Sequence, residues 1–284
     1  MATAWLGGET YPITGIPRGW PIGIDTGVTT DFSLITNSTC NVDINWGDGN
    51  VDTGVALSGN TTTTHNYSTP GTYTVEIDLN SGDFRPYYAN NSAADEIITL
   101  GDTPAGWSFG TSLNSAFRGS GKLTTVGDID TSAVTDFFQA WRSCVLLTSF
   151  SAIDTSEATT FERTWSSCKF TSFPLLNPSK VETFYLAWSN CSDLEVFPAN
   201  FFDSWTGTPA NNCFLSTWGS CSSLTATSVE DILNSIDTSG QSAPGSGPDI
   251  TIDYDAGTGT PSVATAVTNL KGRGWTITLN GAPQ

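Results

Sequence analysis

Positive charge is what this 284-residue chain has least of: 10 Lys and Arg stand against 28 Asp and Glu, a net charge of −18. Cations this sparse cannot neutralise a phosphate backbone or an anionic bilayer, so nucleic acid and membranes are excluded as partners. Charge of either sign is thin, 13% of residues against roughly 25% in an ordinary soluble domain. There is one His and one Met. No run of 18 apolar residues occurs, which excludes a spanning helix. Met1 to Glu9 lack a positive n-region and an apolar h-region, so the expectation is cytoplasmic synthesis without a secretory signal. P-loop, nucleophile-elbow, HExxH and dinucleotide motifs are missing. The acid pairs Asp128/Asp130 and Asp253/Asp255 read as turn acids rather than as paired catalytic carboxylates. The expectation is a protein that is not an enzyme, with no catalytic residue, cofactor or metal.

What is present is hydroxyl: 43 Thr and 32 Ser, about a quarter of the chain, with 28 Gly, 10 Trp and 11% aromatic residues. That composition favours strands and turns and excludes helical bundles and coiled coils. Residues 1–28 hold Pro12, Pro17, Pro21 and six glycines around Trp5 and Trp20. They read as an extended arm with apolar anchors, a docking arm for a neighbouring surface. From Asp31 onward Phe32/Leu34, Val42/Ile44/Trp46 and Tyr73/Val75/Ile77/Leu79 alternate with polar residues, the period of half-buried strands. A Trp46-Gly47-Asp48-Gly49 turn is followed by His65-Asn66-Tyr67-Ser68-Thr69-Pro70-Gly71-Thr72-Tyr73-Thr74-Val75. On these motifs residues 29–88 resemble a PKD domain, a small immunoglobulin-like β-sandwich, which implies that His65 belongs to the scaffold. Asp48, Asn50 and Asp52 lack the Gly at 53 and the acid at 59 that an EF-hand calcium loop needs.

The second half is periodic. Trp141-x-x-Cys144, Trp165-x-x-Cys168, Trp188-x-x-Cys191 and Trp218-x-x-Cys221 recur at 24, 23 and 30 residues, with Phe117-x-x-Ser120 as an earlier copy. Apolar residues follow each aromatic at Leu123, Leu147, Phe170, Leu194 and Leu224, and Asp130-Thr131-Ser132 and Asp154-Thr155-Ser156 mark turns. A fixed period of this length indicates units that bury their apolar side only by stacking, hence a solenoid. The pattern over residues 115–228 resembles the leucine-rich repeats of BspA-type bacterial surface proteins, found also in some phage proteins. The insertion Phe202 to Asn212 is expected to bulge from one edge. The four repeat cysteines should stack at roughly 4.8 Å; disulfides, metal and packing are all conceivable, and a ladder pointing one way in a reducing compartment favours buried thiols.

The expected fold is therefore mainly β: an arm (1–28), a PKD-like sandwich (29–90) and a leucine-rich-repeat solenoid (91–284) with caps at 91–116 and 229–284. The outward ladder Thr124, Thr148, Thr171, Glu195 and Thr225 is the expected contact face. The resemblances imply contact modules. The expected role is a bacteriophage virion protein (capsid decoration, head fibre or tail fibre), on the virion surface and multicopy or homo-oligomeric. It would dock on other virion proteins through its arm and contact a host-surface glycan or protein. The alternative is a secreted, cell-surface bacterial adhesin or glycan-binding protein.

Overall fold

Trp20, Ile22 and Ile24 alternate with Pro21, Gly23 and Asp25, and a two-residue period of this kind buries one face of a strand. In the computed structural model, which describes residues 3–6, 9–12, 19–27, 30–88 and 96–284, these six residues form β3 (Trp20–Asp25), with the three apolar side chains fully buried. β1 (Thr3–Leu6) and β2 (Glu9–Pro12) pair antiparallel and form a two-stranded sheet of their own among the described residues. The remaining strands of the first half are β4 (Asp31–Thr36), β5 (Cys40–Asn45), β6 (Val51–Leu57), β7 (Thr61–Asn66), β8 (Thr72–Gly82) and β9 (Ile97–Leu100). They are followed by the two-residue strands β10 (Thr125–Val126) and β11 (Ser149–Phe150). A seven-stranded sheet runs in the order β11-β10-β9-β3-β8-β5-β6, and β4 and β7 form a separate antiparallel pair. Phe32 and Leu34 of β4 share one apolar cluster with Val42, Ile44, Val75 and Ile77 of the larger sheet.

The reading of 1–28 as an arm is corrected at its C-terminal end: β3 lies inside the sheet, between β8 and β9. Its prolines misled because Pro21 stands one residue beyond the β9 ladder, where its carbonyl accepts from Gly101 N–H at 2.9 Å. Gly23 lies tight against β9: a Cβ there would meet Thr99 Oγ1, so that side chain would have to turn away. β9 pairs antiparallel with β3 on one side and parallel with β10 on the other. The sheet therefore crosses both expected boundaries, 28/29 and 90/91, and one hydrophobic core follows it.

Beyond β9 successive segments lie side by side. Parallel bridges join Ser112 to Asp136, Asp136 to Thr160 and Thr160 to Thr183, and on the sheet side Ser172 to Val196. The insertion does not bulge. Phe202 and Trp205 are fully buried, Trp205 Nε1–H donates to Val181 O at 2.6 Å, and Thr206 and Ala210 amides donate to Ser179 and Glu182 carbonyls. Two large aromatics gain more by entering the core than by facing water, so the extra residues supply a rung.

The end of the stack is closed by α1 (Ala226–Ser239), β12 (Asp249–Ile252), α2 (Ala264–Gly272), β13 (Thr276–Leu279) and β14 (Ala282–Pro283). α1 was not foreseen, although Val229, Ile232, Leu233 and Ile236 have helical spacing, Thr225 caps its N-terminus and Gly240 takes the left-handed C-cap. Its buried serines satisfy backbone groups of the last segment: Ser228 Oγ donates to Glu195 O and accepts from Phe197 N–H, and Ser235 Oγ accepts from Phe202 N–H. β12 reaches the other side through the Trp218–Ile252 bridge. The chain is thus mainly β, with two α-helices among the described residues.

Candidate functional site

Each stacked segment is held by a turn around its ladder aromatic. Around Trp141, Gln139 and Ser143 both adopt positive φ, 55° and 63°. Those turns direct alternate amides two ways: Ala140, Arg142 and Cys144 N–H close on their own turn, while Gln139, Trp141 and Ser143 N–H donate to Glu162, Thr164 and Ser166 of the next segment at 2.8–3.0 Å. The pattern recurs at 115/119, 163/167, 186/190 and 216/220, always two residues before and two after the aromatic.

This register places the aromatics face over face. Trp141 stacks on Trp165 at 6.2 Å and 7°, Trp165 on Trp188 at 5.5 Å and 8°, and Trp188 on Trp218 at 6.0 Å and 10°. Phe150, Phe173 and Phe197 form a second row, roughly perpendicular to the first. The cysteines lie inside this packing: all six are free and buried. Each ladder thiol donates across segments, Cys144 to Phe117 O, Cys168 to Trp141 O, Cys191 to Trp165 O and Cys221 to Trp188 O, at 3.1–3.3 Å. Burial pushes all four thiols up, that of Cys191 to about 12. They are inert packing groups rather than nucleophiles.

The outward ladder is only partly open. Thr148 N–H donates to Thr124 O, Glu195 N–H to Thr171 O and Thr225 N–H to Glu195 O, so these residues follow the segment order. Thr148, Thr171 and Glu195 are exposed, with Ser149, Ser172 and Val196 beside them. The Thr124 hydroxyl donates to Ile98 O, and that of Thr225 caps α1. The expected five-residue face therefore narrows to Thr148, Thr171 and Glu195, because its two ends are used by the fold. Where the turns of two segments meet, Ile153, Leu175, Leu176 and Phe201 line an open depression of about 360 Å³ rimmed by Asp154, Asn177, Asn200 and Ser204.

Of the two docking-arm residues, the side chain of Trp5 lies outside the described residues. Trp20 is no surface anchor: it is fully buried, in ring contact with Trp107 at 5.3 Å, Phe109 at 5.1 Å and Phe117 at 6.2 Å, and its Nε1–H donates to Gly101 O.

Of the acids singled out in the sequence, Asp130 and Asp255 bond within their own turns and Asp253 bonds across to the last ladder turn. Asp130 Oδ1 accepts from Ser132 N–H, Asp253 Oδ2 from Ser220 N–H and Asp255 Oδ1 from Gly257 N–H. In the Trp46–Asn50 turn Asp48 Oδ1 accepts from Asn50 N–H and Oδ2 lies 2.8 Å from His65 Nε2, while Asp52 accepts from Trp46 Nε1–H. The His65 ring stacks on Trp46 at 4.9 Å and meets Tyr67 edge-on at 4.7 Å. Among the described residues no group of His, Cys, Asp or Glu converges as a metal site, and no helix is long and apolar enough to cross a membrane. Comparison with protein-family models, with curated proteins and with solved structures finds no match, so the functional reading rests on the sequence motifs and this geometry.

Proposed function

We propose that the protein is a non-enzymatic structural or attachment component of a bacteriophage virion, a capsid decoration, head-fibre or tail-fibre protein that presents a contact surface to a host glycan or protein. The reading takes residues 29–88 as a PKD-like, immunoglobulin-like unit and residues 115–228 as a BspA-type leucine-rich-repeat solenoid, modules made for contact. The observation that carries it is the rigid outer face on which Thr148, Thr171 and Glu195 stand exposed in successive segments, held by backbone bonds and by the aromatic stack beneath. Such a face offers two threonine hydroxyls and a carboxylate in successive segments without rearrangement on binding, which lowers the entropic cost of association. Fold-level likeness alone does not specify function, so the test must be direct.

Purified virions should contain the protein in multiple copies per particle, measured by quantitative mass spectrometry. Virions that lack it would favour the adhesin or glycan-binding reading, which uses the same face. For the face itself, Thr148→Lys with Thr171→Lys should abolish host-cell or glycan-array binding; binding unaffected by both changes would remove the face from the proposal.

A further inference from the structure

The scarce cations are not evenly spread. The position after the ladder aromatic is Arg118, Arg142, Ser166 and Ser189 in successive segments, and the position two before it is Ser115, Gln139, Arg163 and Leu186. Gly119 N–H donates to Arg142 O at 2.8 Å and Gln139 N–H to Glu162 O at 3.0 Å, so Arg118 lies beside Arg142 and Gln139 beside Arg163, about 4.8 Å apart along the stack. Arg142 N–H closes on Gln139 O at 3.2 Å, which joins the two columns in one turn. Three of the chain's ten Lys and Arg thus share one patch at the turns that carry the ladder aromatics.

The patch is costly as it stands. All three arginines are half-buried, and only Arg163 has an acidic partner, Glu162 at 2.5 Å, with its guanidinium 4.7 Å from the centre of the Tyr185 ring. Arg118 and Arg142 make no ion pair or side-chain hydrogen bond among the described residues, in a chain with 28 acids. Burial first, then the charges of Arg118 and Arg163, lowers the pKa of Arg142. Gln139, only 7% exposed, keeps an Oε1 without a donor in the same turn. Half-buried like charges without counter-ions weaken a fold, and such an arrangement points to a ligand.

We propose that Arg118, Arg142 and Arg163 form an anion site for a sugar that carries a single carboxylate. A guanidinium fork binds one carboxylate bidentately, and Gln139 Oε1, enclosed and without a donor in the free protein, gains one when its side chain turns outward to a sugar hydroxyl. The net charge of −18 repels an extended polyanion or an acidic peptide long before contact. The site is separate from the threonine face and does not depend on where the protein is displayed.

The test is calorimetric titration of the full chain with a neutral oligosaccharide ending in one glucuronate, against the same oligosaccharide ending in glucose and a peptide carrying one Asp. The uronate probe should bind at least about 10-fold tighter than either control. Arg142→Gln should remove that preference while near-UV dichroism of the stacked tryptophans stays unchanged, and Arg142→Lys should fall between. Arg118→Gln provides a second variant should Arg142→Gln disturb the stack. Equal binding of both sugars, peptide binding as tight as the uronate's, no binding of any probe, or a preference that survives both Gln variants would each overturn the proposal. Virion co-purification is a separate measurement, so its failure is distinguishable from failure of this site.

Discussion

At the scale of single residues, the stack depends on two choices repeated in every segment: a flat aromatic in the core and a left-handed residue on either side of it. Trp165 lies between Trp141 and Trp188 and is fully buried. Trp165→Ala should therefore cost about 3–5 kcal/mol, and Trp165→Phe less, as Phe117 holds the same position in the first segment; urea unfolding monitored by far-UV dichroism checks both. Nine of the twelve non-glycine residues with positive φ among those described occupy the two flanking positions, each at a cost of order 1–2 kcal/mol. Ser143→Gly and Ser167→Gly should raise the melting temperature, because Gly119 already fills that position without strain. Ser143→Val should lower it. The aromatic spacing was legible in the sequence, whereas the left-handed positions were not: Ser, Gln, Arg, Leu, Asn and Gly all occur there, so no residue type marks them.

At the scale of elements, satisfaction of polar groups explains what propensity does not. The thiol ladder uses Cys because the site needs a small group that buries well and still donates to the carbonyl one segment back. Native protein should not react with a thiol reagent at pH 8, and all six thiols should react once it is unfolded. For a raised thiol the pH dependence has one sign. Stability is fully present below the unfolded value of 9.0 and is lost as pH rises through the folded value, about 12 for Cys191. Alkaline titration should thus show unfolding that begins above pH 9; stability that stays flat to pH 12 would contradict the buried ladder. α1 is the counterpart at the stack's end. Ser235→Ala would leave Phe202 N–H without its acceptor, and a loss of about 1–3 kcal/mol is expected, read from thermal unfolding. That helix was missed because Ser, Thr and Asp fill much of it, residues that favour caps over interiors, and only packing on the last segment makes it a helix.

For the whole molecule, the decisive feature is continuity. A row of stacked rings runs from Phe32 through Tyr88, Phe117 and Trp141 to Trp218, from the first half into the last segment. One sheet runs beside it. Residues 19–284 should accordingly melt in one cooperative transition, with coincident dichroism and calorimetric curves; two resolved transitions would contradict the shared core. The melting temperature should rise with moderate salt, since screening relieves the self-repulsion of a chain at −18.

The sequence by itself determined the mainly β character, the two-residue alternation of the first half and the 23- to 30-residue aromatic period of the second, because burial acts on each of these through local spacing. Only the tertiary structure decided that β3 leaves the expected arm to join the two halves, that Phe202 and Trp205 turn inward, that Thr124 and Thr225 are used by the fold, and that Arg118, Arg142 and Arg163 meet. Those outcomes depend on contacts between residues far apart in the chain. Local composition, here prolines, an insertion and isolated cations, carries no record of the partner that each residue will meet.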